Sequence, residues 1–313
     1  MCGAPGPFTA YRAREMLFGT REEFDYVECA SCGTLQIETI PEADVLARHY
    51  PAAYYSFATG SGGLRRWLEV RRDRDIAGRF SPAGKLFRRL RPDPTLPLLL
   101  DAGLRADQRI LDVGCGGGTL LDRLARLGFS RVEGVDPFID ADLTTEEGVS
   151  VRKLTIGEVE GVYDVVMFHH SLEHVVDPAA DLAAARRLLA PGGLCLVRLP
   201  TTDSVGWREY RQHWSSLDPP RHLVLPSRKG LIGIAEAAGL EHVETVDDSY
   251  DGQYRLSELY SRNISASDPE ALGGPQGEER DRFRAKAEQA NREGLGDQAM
   301  FIFRAPAAIA AAR

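Results

Sequence analysis

From residue 109 onward, short apolar runs alternate with segments whose apolar positions recur every three or four residues. The short runs read as strands buried on both faces, and the longer periodic segments as helices packed against them. Strands are predicted at 109–114, 131–136, 149–154, 163–169 and 193–199, with helices at 118–127 and 178–190. A helix at 227–238, ending at Gly239, leads to a strand at 241–247, and a last strand falls at Met300–Arg304. Alternation of this kind implies parallel βαβ units and an α/β fold. Between the last two strands lies a long polar stretch with a charged helical run, Gly277–Arg292. It is long for a plain connection, so 251–295 is expected to be a helical insertion or lid.

The first hundred residues are patterned differently. Residues 1–60 are rich in Cys, Tyr, Pro and Gly and lack a long helical period. They read as a small β-containing module with a short helix around Pro41–Tyr50. Residues 61–104 read as a basic helical linker, broken at Ser81-Pro82 and by Pro92, Pro94 and Pro97. The α/β domain is then expected over 105–250 and 296–313.

Charge sharpens this division. The chain has 313 residues and a net charge of −8. From Arg65 to Arg91 there are ten basic and three acidic residues, so this segment is +7 and the remainder −15. Two readings stand: a solvated helical face, or a docking strip for an anionic substrate or a membrane surface. Trp67, Leu68, Phe80, Leu86, Phe87 and Leu90 lie between the arginines, and periodicity does not say whether they face a core or a lipid surface. The acidic balance elsewhere argues against nucleic acid as a partner. No run reaches the length of a membrane span, the N-terminus has no signal-peptide layout, and five cysteines are not a disulfide framework. A reduced, cytoplasmic protein is the expectation.

Ile110–Leu121 carries the most chemical information: an apolar strand ending at Asp112-Val113, a glycine turn Gly114-Cys115-Gly116-Gly117-Gly118, then a helix start. In α/β proteins a nucleotide-like cofactor lies at such a turn. The second strand ends at Asp136, 24 positions after Asp112, where a carboxylate can accept from both hydroxyls of a ribose. The strand Tyr163-Asp-Val-Val-Met-Phe168-His169 runs into the loop His170-Ser-Leu-Glu173-His174, and Pro191-Gly192-Gly193 precedes the next strand. Together these elements, over roughly 96–247 plus the final strand, resemble class I S-adenosylmethionine-dependent methyltransferases.

The resemblance implies a Rossmann-like seven-stranded sheet with helices on both faces. It places the donor's amino-acid end over Gly114, Gly116 and Gly118, its ribose on Asp136, and its sulfonium near Phe168, His169 and His170. It gives Asp112 the amino group or the turn, and His174 the loop or the adenine edge. A nicotinamide-type Rossmann enzyme is disfavoured, because Gly114-x-Gly116-x-Gly118 lacks the G-x-G-x-x-G spacing. Cys115 and Cys195 read as small packing residues.

Cys29-Ala-Ser-Cys32-Gly33 is a thiolate knuckle, half of a tetrahedral zinc site. Its counterpart reduces to Cys2-Gly3, so one ligand is missing: a start site placed too late, or a degenerate site. The segment, with Tyr50, Tyr54 and Tyr55, resembles the zinc-binding N-terminal module of some sugar and small-molecule methyltransferases. Cys2, Cys29 and Cys32 are the implied structural zinc ligands. His49 is a conceivable fourth, against the plainer account of a surface helix histidine.

Methyl transfer to a hydroxyl needs positioning and removal of a proton, which histidine suits near neutral pH. His170 and His222 are the candidate bases. His222 closes Trp214-Ser-Ser-Leu-Asp218-Pro-Pro-Arg221-His222, a loop that resembles the one carrying the base in nucleotide-sugar methyltransferases. Asp218-Pro-Pro-Arg-His departs from their acidic-His pairing, which leaves loop fixation open as the non-catalytic account. Trp207, Tyr210 and Trp214 would line a sugar face or simply pack, and Asn291 and Gly296-Asp297-Gln298 would close the site. The expected activity is O-methylation of a sugar or small metabolite rather than C-methylation. A non-catalytic cofactor-binding scaffold predicts binding without turnover, and an RNA methyltransferase predicts salt-sensitive RNA binding.

Overall fold

The structure, a computed structural model, describes residues 2–50 and 63–307. Tyr54, Tyr55, the first residues of the basic segment and the chain end at 308–313 lie outside the described residues. Near the N-terminus, β1 (Phe8–Arg14), β2 (Glu23–Cys29) and β3 (Leu35–Ile37) form an antiparallel meander, followed by α1 (Ala43–Arg48). Three helices come next: α2 (Gly63–Ile76), α3 (Pro82–Leu90) and α4 (Thr95–Asp101). The break before α3 has a local cause. Ser81 accepts the Gly84 N–H at 3.1 Å as N-cap, and Pro82 takes the first helical position, where no N–H is needed.

The alternating part runs β4 (Ile110–Val113), α5 (Thr119–Arg126), β5 (Val132–Val135), β6 (Leu143–Thr144), β7 (Ser150–Arg152), β8 (Tyr163–His169), α6 (Pro178–Leu188) and β9 (Leu189–Pro200). Then follow α7 (Val205–Tyr210), β10 (Val224–Leu225), α8 (Arg228–Ala237), β11 (Glu241–Asp247), α9 (Asp251–Ser261), α10 (Pro269–Leu272), α11 (Gly277–Arg292) and β12 (Gln298–Arg304). The larger sheet has the order β11-β12-β9-β8-β4-β5-β7-β6. β4 is parallel to both β5 and β8, and β7 is parallel to β5.

Two expectations are corrected. The sheet has eight strands rather than seven, because a two-residue strand, β6, pairs antiparallel with β7 at the edge, Leu143 opposite Val151. Pro191-Gly192-Gly193 is not a free turn before a strand, since β9 already begins at Leu189. Its backbone is used in pairing: Gly192 N–H donates to Ala305 O at 3.1 Å, and Ala305 N–H to Gly193 O at 2.8 Å.

The chain divides into two compact units. One comprises 1–51, 170–183 and 197–301; the other comprises 52–169, 184–196 and 302–313. In the first, β3 pairs with β10, Leu35 opposite Leu225, so the cysteine segment shares a sheet with the end of the acceptor loop. Tyr26, Leu35, Trp207, Trp214, Leu217 and Leu225 form its core, and Tyr254, Phe283, Ala287 and Ala290 form a second cluster within α9 and α11. In the other unit Leu111, Val113, Leu121, Val135, Val165 and Val166 are buried, as parallel strands covered on both faces require.

Candidate functional site

The donor turn lies wholly in one unit. β4 is buried throughout, and the chain leaves it through Gly114, Gly116 and Gly118 at φ of +74°, +55° and +79°. At Gly118 glycine is required twice over: the conformation is left-handed, and a Cβ would stand 2.6 Å from Thr145 Cγ2. Gly134 lets Cys115 pack, because a Cβ there would meet Cys115 Sγ at 2.4 Å. The half-buried Cys115 thiol is pushed far up by desolvation and by Asp112 and Asp136, and burial lifts Cys195 to about 12, so neither is a nucleophile.

Asp136 is buried at the end of β5 and holds the turn in place. It accepts the Gly116 N–H at 2.9 Å on one oxygen and the Phe138 N–H at 2.8 Å on the other. Each oxygen keeps a further lone pair for a hydroxyl. Asp112 is buried, its Oδ1 has no hydrogen-bond partner, and burial followed by the Asp136 charge holds its carboxyl well above the usual range. An orphaned carboxyl beside a backbone cradle fits a ligand that carries an ammonium group. Phe168 is buried and His169 half-buried at the end of β8.

The histidines gather in the other unit, starting with His170, the residue after β8. His170 sits at φ +55°, with its Nε2 2.8 Å from Arg198 Nη1 and its Nδ1 3.3 Å from Glu173 Oε1. A guanidinium only donates, so Nε2 accepts and Nδ1 carries the proton. Burial, then the Arg198 charge, lowers its pKa well below the ordinary value. His170 is therefore a neutral linker between Arg198 and Glu173, with its basic lone pair already in use. Arg198 is in turn fixed by Asp248, 2.9 Å from its Nε.

His174 Nδ1 lies 2.8 Å from Arg221 O and 3.2 Å from Tyr50 Oη, so it ties the loop together. Its ring stands edge-on to His222 at 4.7 Å. His222 Nδ1 lies 2.8 Å from Ser216 O, which assigns the proton to that nitrogen and leaves Nε2 with its lone pair. Nε2 is 4.0 Å from Glu173 Oε1 and 3.9 Å from Asp218 Oδ2, too far for hydrogen bonds but close enough to stabilise an imidazolium. Glu173 is fully buried and its Oε2 lacks a partner.

The loop is built around Arg221, which is fully buried. Its Nη2 reaches Glu15 Oε1 at 2.9 Å, its Nε reaches Asp218 Oδ2 at 2.8 Å, and its Nη1 donates to His49 O at 3.2 Å. Burial would raise the Asp218 pKa, but Arg221 outweighs it and the carboxyl ends below its usual value. Leu223 N–H donates to Glu173 O at 2.8 Å and Tyr26 Oη to His222 O at 2.9 Å, so the two motif loops and β2 hold one another. The missing acidic neighbour of His222 is thus supplied in space by Asp218 and Glu173.

Several sequence expectations are corrected here. Trp207 and Trp214 do not form an open wall: both are buried, with indole N–H groups on Glu28 at 3.0 Å and Asp297 at 3.0 Å. Asp297 and Asn291 are structural; burial lifts Asp297 to about 6, and Asn291 binds the backbone of Ser249. His49 is buried rather than on the surface, with Nε2 2.7 Å from Glu22 Oε2, and it is not grouped with the cysteines. Arg198 and Glu15 were missed. A signal for Arg198 existed, because it is the lone charge in the apolar run Leu194–Leu199.

Cys2, Cys29 and Cys32 do come together, with their sulfurs within 4.8 Å of one another and Cys2 Sγ 3.6 Å from Cys29 Sγ. Gly33 at φ +72° and its N–H on Cys29 O at 2.7 Å close the knuckle. The Cys32 N–H, opposed by desolvation and aided by the Ser31 N–H and the neighbouring thiols, lowers the Cys29 thiol to about 7, towards the ligand-competent thiolate.

Residues 83–245 match the family model described as "Methyltransferase domain". The "Ubiquinone biosynthesis O-methyltransferase" of Hahella chejuensis is 40% identical over 139 residues, covering 40% of this chain and 57% of that protein. Its namesake from Colwellia psychrerythraea is 44% identical over 99 residues, covering 28% of this chain and 40% of the relative. The chain thus spans only about half the length of these curated relatives. A solved Thermotoga maritima SAM-dependent methyltransferase, described as a possible histamine N-methyltransferase, is 19% identical at a TM-score of 0.44, covering 74% of this chain and 99% of that one. With just over half of its 313 residues inside the matched model, the chain belongs to the methyltransferase domain family, the class I S-adenosylmethionine-dependent enzymes that its glycine turn and Asp136 resemble.

Proposed function

We propose that this chain transfers the methyl group of S-adenosylmethionine to a hydroxyl oxygen of a sugar or other small metabolite. The observation that carries the reading is the orphaned, buried Asp112 carboxyl at a left-handed glycine turn held by Asp136. The bound donor supplies a sulfonium-linked methyl group, so that a C–S bond breaks as an O–C bond forms. Asp112 meets the donor's ammonium group, the Gly114–Gly118 backbone its carboxylate end, and Asp136 its ribose, with Phe168 and His169 beside it. His222 takes the acceptor's proton on Nε2, and the imidazolium is stabilised by Asp218 and Glu173. His170 and His174 position Glu173 and the loop.

The O-methyltransferase names of the curated relatives support oxygen as the acceptor atom. The resemblance of the cysteine module to that of sugar methyltransferases supports a sugar. The same module is assigned a structural zinc on Cys2, Cys29 and Cys32, and five free thiols suit work in the cytoplasm. Glu173, His174 and His222 also bring three ligand atoms within 4.8 Å, which supports a second reading in which a divalent cation activates the hydroxyl. Turnover lost to a chelator and restored by Mg²⁺ or Mn²⁺ would favour that version.

The test is a panel of nucleotide sugars and hydroxylated metabolites with methyl-labelled donor. Label on a hydroxyl acceptor, matched by S-adenosylhomocysteine, is expected. Label on RNA, or transfer unchanged by His222→Ala, would overturn the reading.

A further inference from the structure

The basic segment is a helical hairpin that is anchored through buried arginines and, among the described residues, exposes several large apolar side chains. α2 and α3 approach so closely at Gly84 that a Cβ there would lie 2.1 Å from Arg71 O. On the anchored side, Arg72 and Arg123 share Asp73 and Asp93 at 2.8–3.2 Å, tying the hairpin to α5. Away from that anchor, Leu64, Trp67, Phe80, Leu86 and Leu90 are 74%, 47%, 84%, 61% and 69% exposed. Fourteen large apolar side chains are exposed among the described residues, and five of them fall in these 28 residues. Scattered exposed leucines need no account, but this concentration does.

The spacing aligns them. Leu64 and Trp67 are three apart on α2, Leu86 and Leu90 four apart on α3, so each pair shares a helix face. Exposed Arg74, Arg79, Lys85, Arg88, Arg89 and Arg91 lie between and beside them in the same hairpin sequence. The segment's three acidic residues offset only part of this charge, and Glu146 and Glu147 pair with Arg66. Asp73 is buried in the anchor, Glu69 pairs with Arg65 at 3.0 Å, and Asp75 faces Arg88 at 3.9 Å.

We infer that the α2–α3 hairpin docks the protein on an anionic lipid surface. Leu, Phe and Trp side chains between exposed cations suit the headgroup–acyl boundary, where apolar tips insert and cations meet lipid phosphates. A two-fold contact with a second copy would set the exposed Arg74, Lys85, Arg89 and Arg91 against like charge. Nucleic acid would leave Leu86 and Leu90 without a role.

The experiment is flotation of the full chain with vesicles of phosphatidylcholine alone or mixed with phosphatidylglycerol. Binding to the mixed vesicles only, weakened by salt, is expected. Phe80→Ser/Leu86→Ser/Leu90→Ser and Lys85→Glu/Arg89→Glu should each lower it by roughly 10-fold or more, with melting and donor binding unchanged. Failure to float, equal binding to phosphatidylcholine, or binding indifferent to both variants would overturn the inference. So would a wild-type dimer that either variant dissolves, or retention on RNA in place of vesicles.

Discussion

Replacing Arg221 with Met should destabilise the unit that holds the acceptor loop far more than its single-residue size suggests. Met keeps much of the buried volume but none of the donors that reach Glu15 Oε1 at 2.9 Å, Asp218 Oδ2 at 2.8 Å and His49 O at 3.2 Å. Removing one partner of a buried pair costs about 3–5 kcal/mol, because the other charge stays buried and unpaired. Glu15 retains the backbone N–H groups of Phe18 at 2.8 Å and Thr20 at 3.0 Å, which points to the lower end, about 3 kcal/mol. At about 2–4 °C per kcal/mol for a unit of this size, the midpoint should fall by roughly 6–12 °C.

The pH dependence gives a second handle. Burial works against the Glu15 charge, but the Phe18 N–H and Arg221 outweigh it and its folded pKa lies below the ordinary carboxylate value. That contribution is present above the unfolded pKa and is lost as pH falls through the lowered folded one. Without Arg221 only the Phe18 and Thr20 N–H groups oppose burial and the contribution shrinks, so the gap between wild type and variant should be widest at neutral pH and narrow on acidification. Urea unfolding followed by tryptophan fluorescence reads this directly, since Trp207 and Trp214 lie in the core of the same unit. Glu15→Gln in the Arg221→Met background should recover part of the loss. A loss under about 1 kcal/mol, or a gap that widens as pH falls, would refute the reasoning.

His222→Ala should lower turnover by roughly 10²–10⁴ with donor affinity retained, measured by steady-state assay and calorimetry; a matching loss of affinity would make it a binding residue. Gly118→Ala should cost about 2–4 kcal/mol and weaken donor binding, since it adds a left-handed alanine to a clash with Thr145 and Val151. Gly148→Ala, at φ +82° with nothing within 4 Å, is the control and should cost only about 1–2 kcal/mol. In metal-free protein Cys29, lowered to about 7, should alkylate before Cys195, lifted to about 12, and slow as pH falls below 7; mass spectrometry checks the order, and zinc should protect Cys29.

What the sequence made legible follows from range. Strand Tyr163–His169 and strand Glu241–Asp247 appear where apolar patterning put them, because each is set by its own residues. The left-handed turn was readable for the same reason: glycine spacing reports local backbone shape. The sheet edge was not, since β6 is two residues long and exists only through pairing with β7. Around His222 the limit is distance along the chain. Arg221 looked like the replacement of an acidic neighbour, and nothing local says that its partner is Glu15, 206 positions earlier. Likewise His170 looked like a base until Arg198, 28 positions later, occupied its Nε2. The tryptophans mislead because aromatic residues near a site look alike in sequence whether they line it or fill the core.

The central claim is that the turn from Asp112 to Gly118, held by Asp136, receives the methyl donor. Calorimetric titration of the full chain with S-adenosylhomocysteine tests it most directly, because that product binds without being consumed. Saturable binding at one site per chain, lost or greatly weakened in Asp112→Asn and Asp136→Ala proteins that melt as folded, is the expected result. Folded wild-type protein that gives no binding, or variants that bind as tightly as wild type, would contradict it.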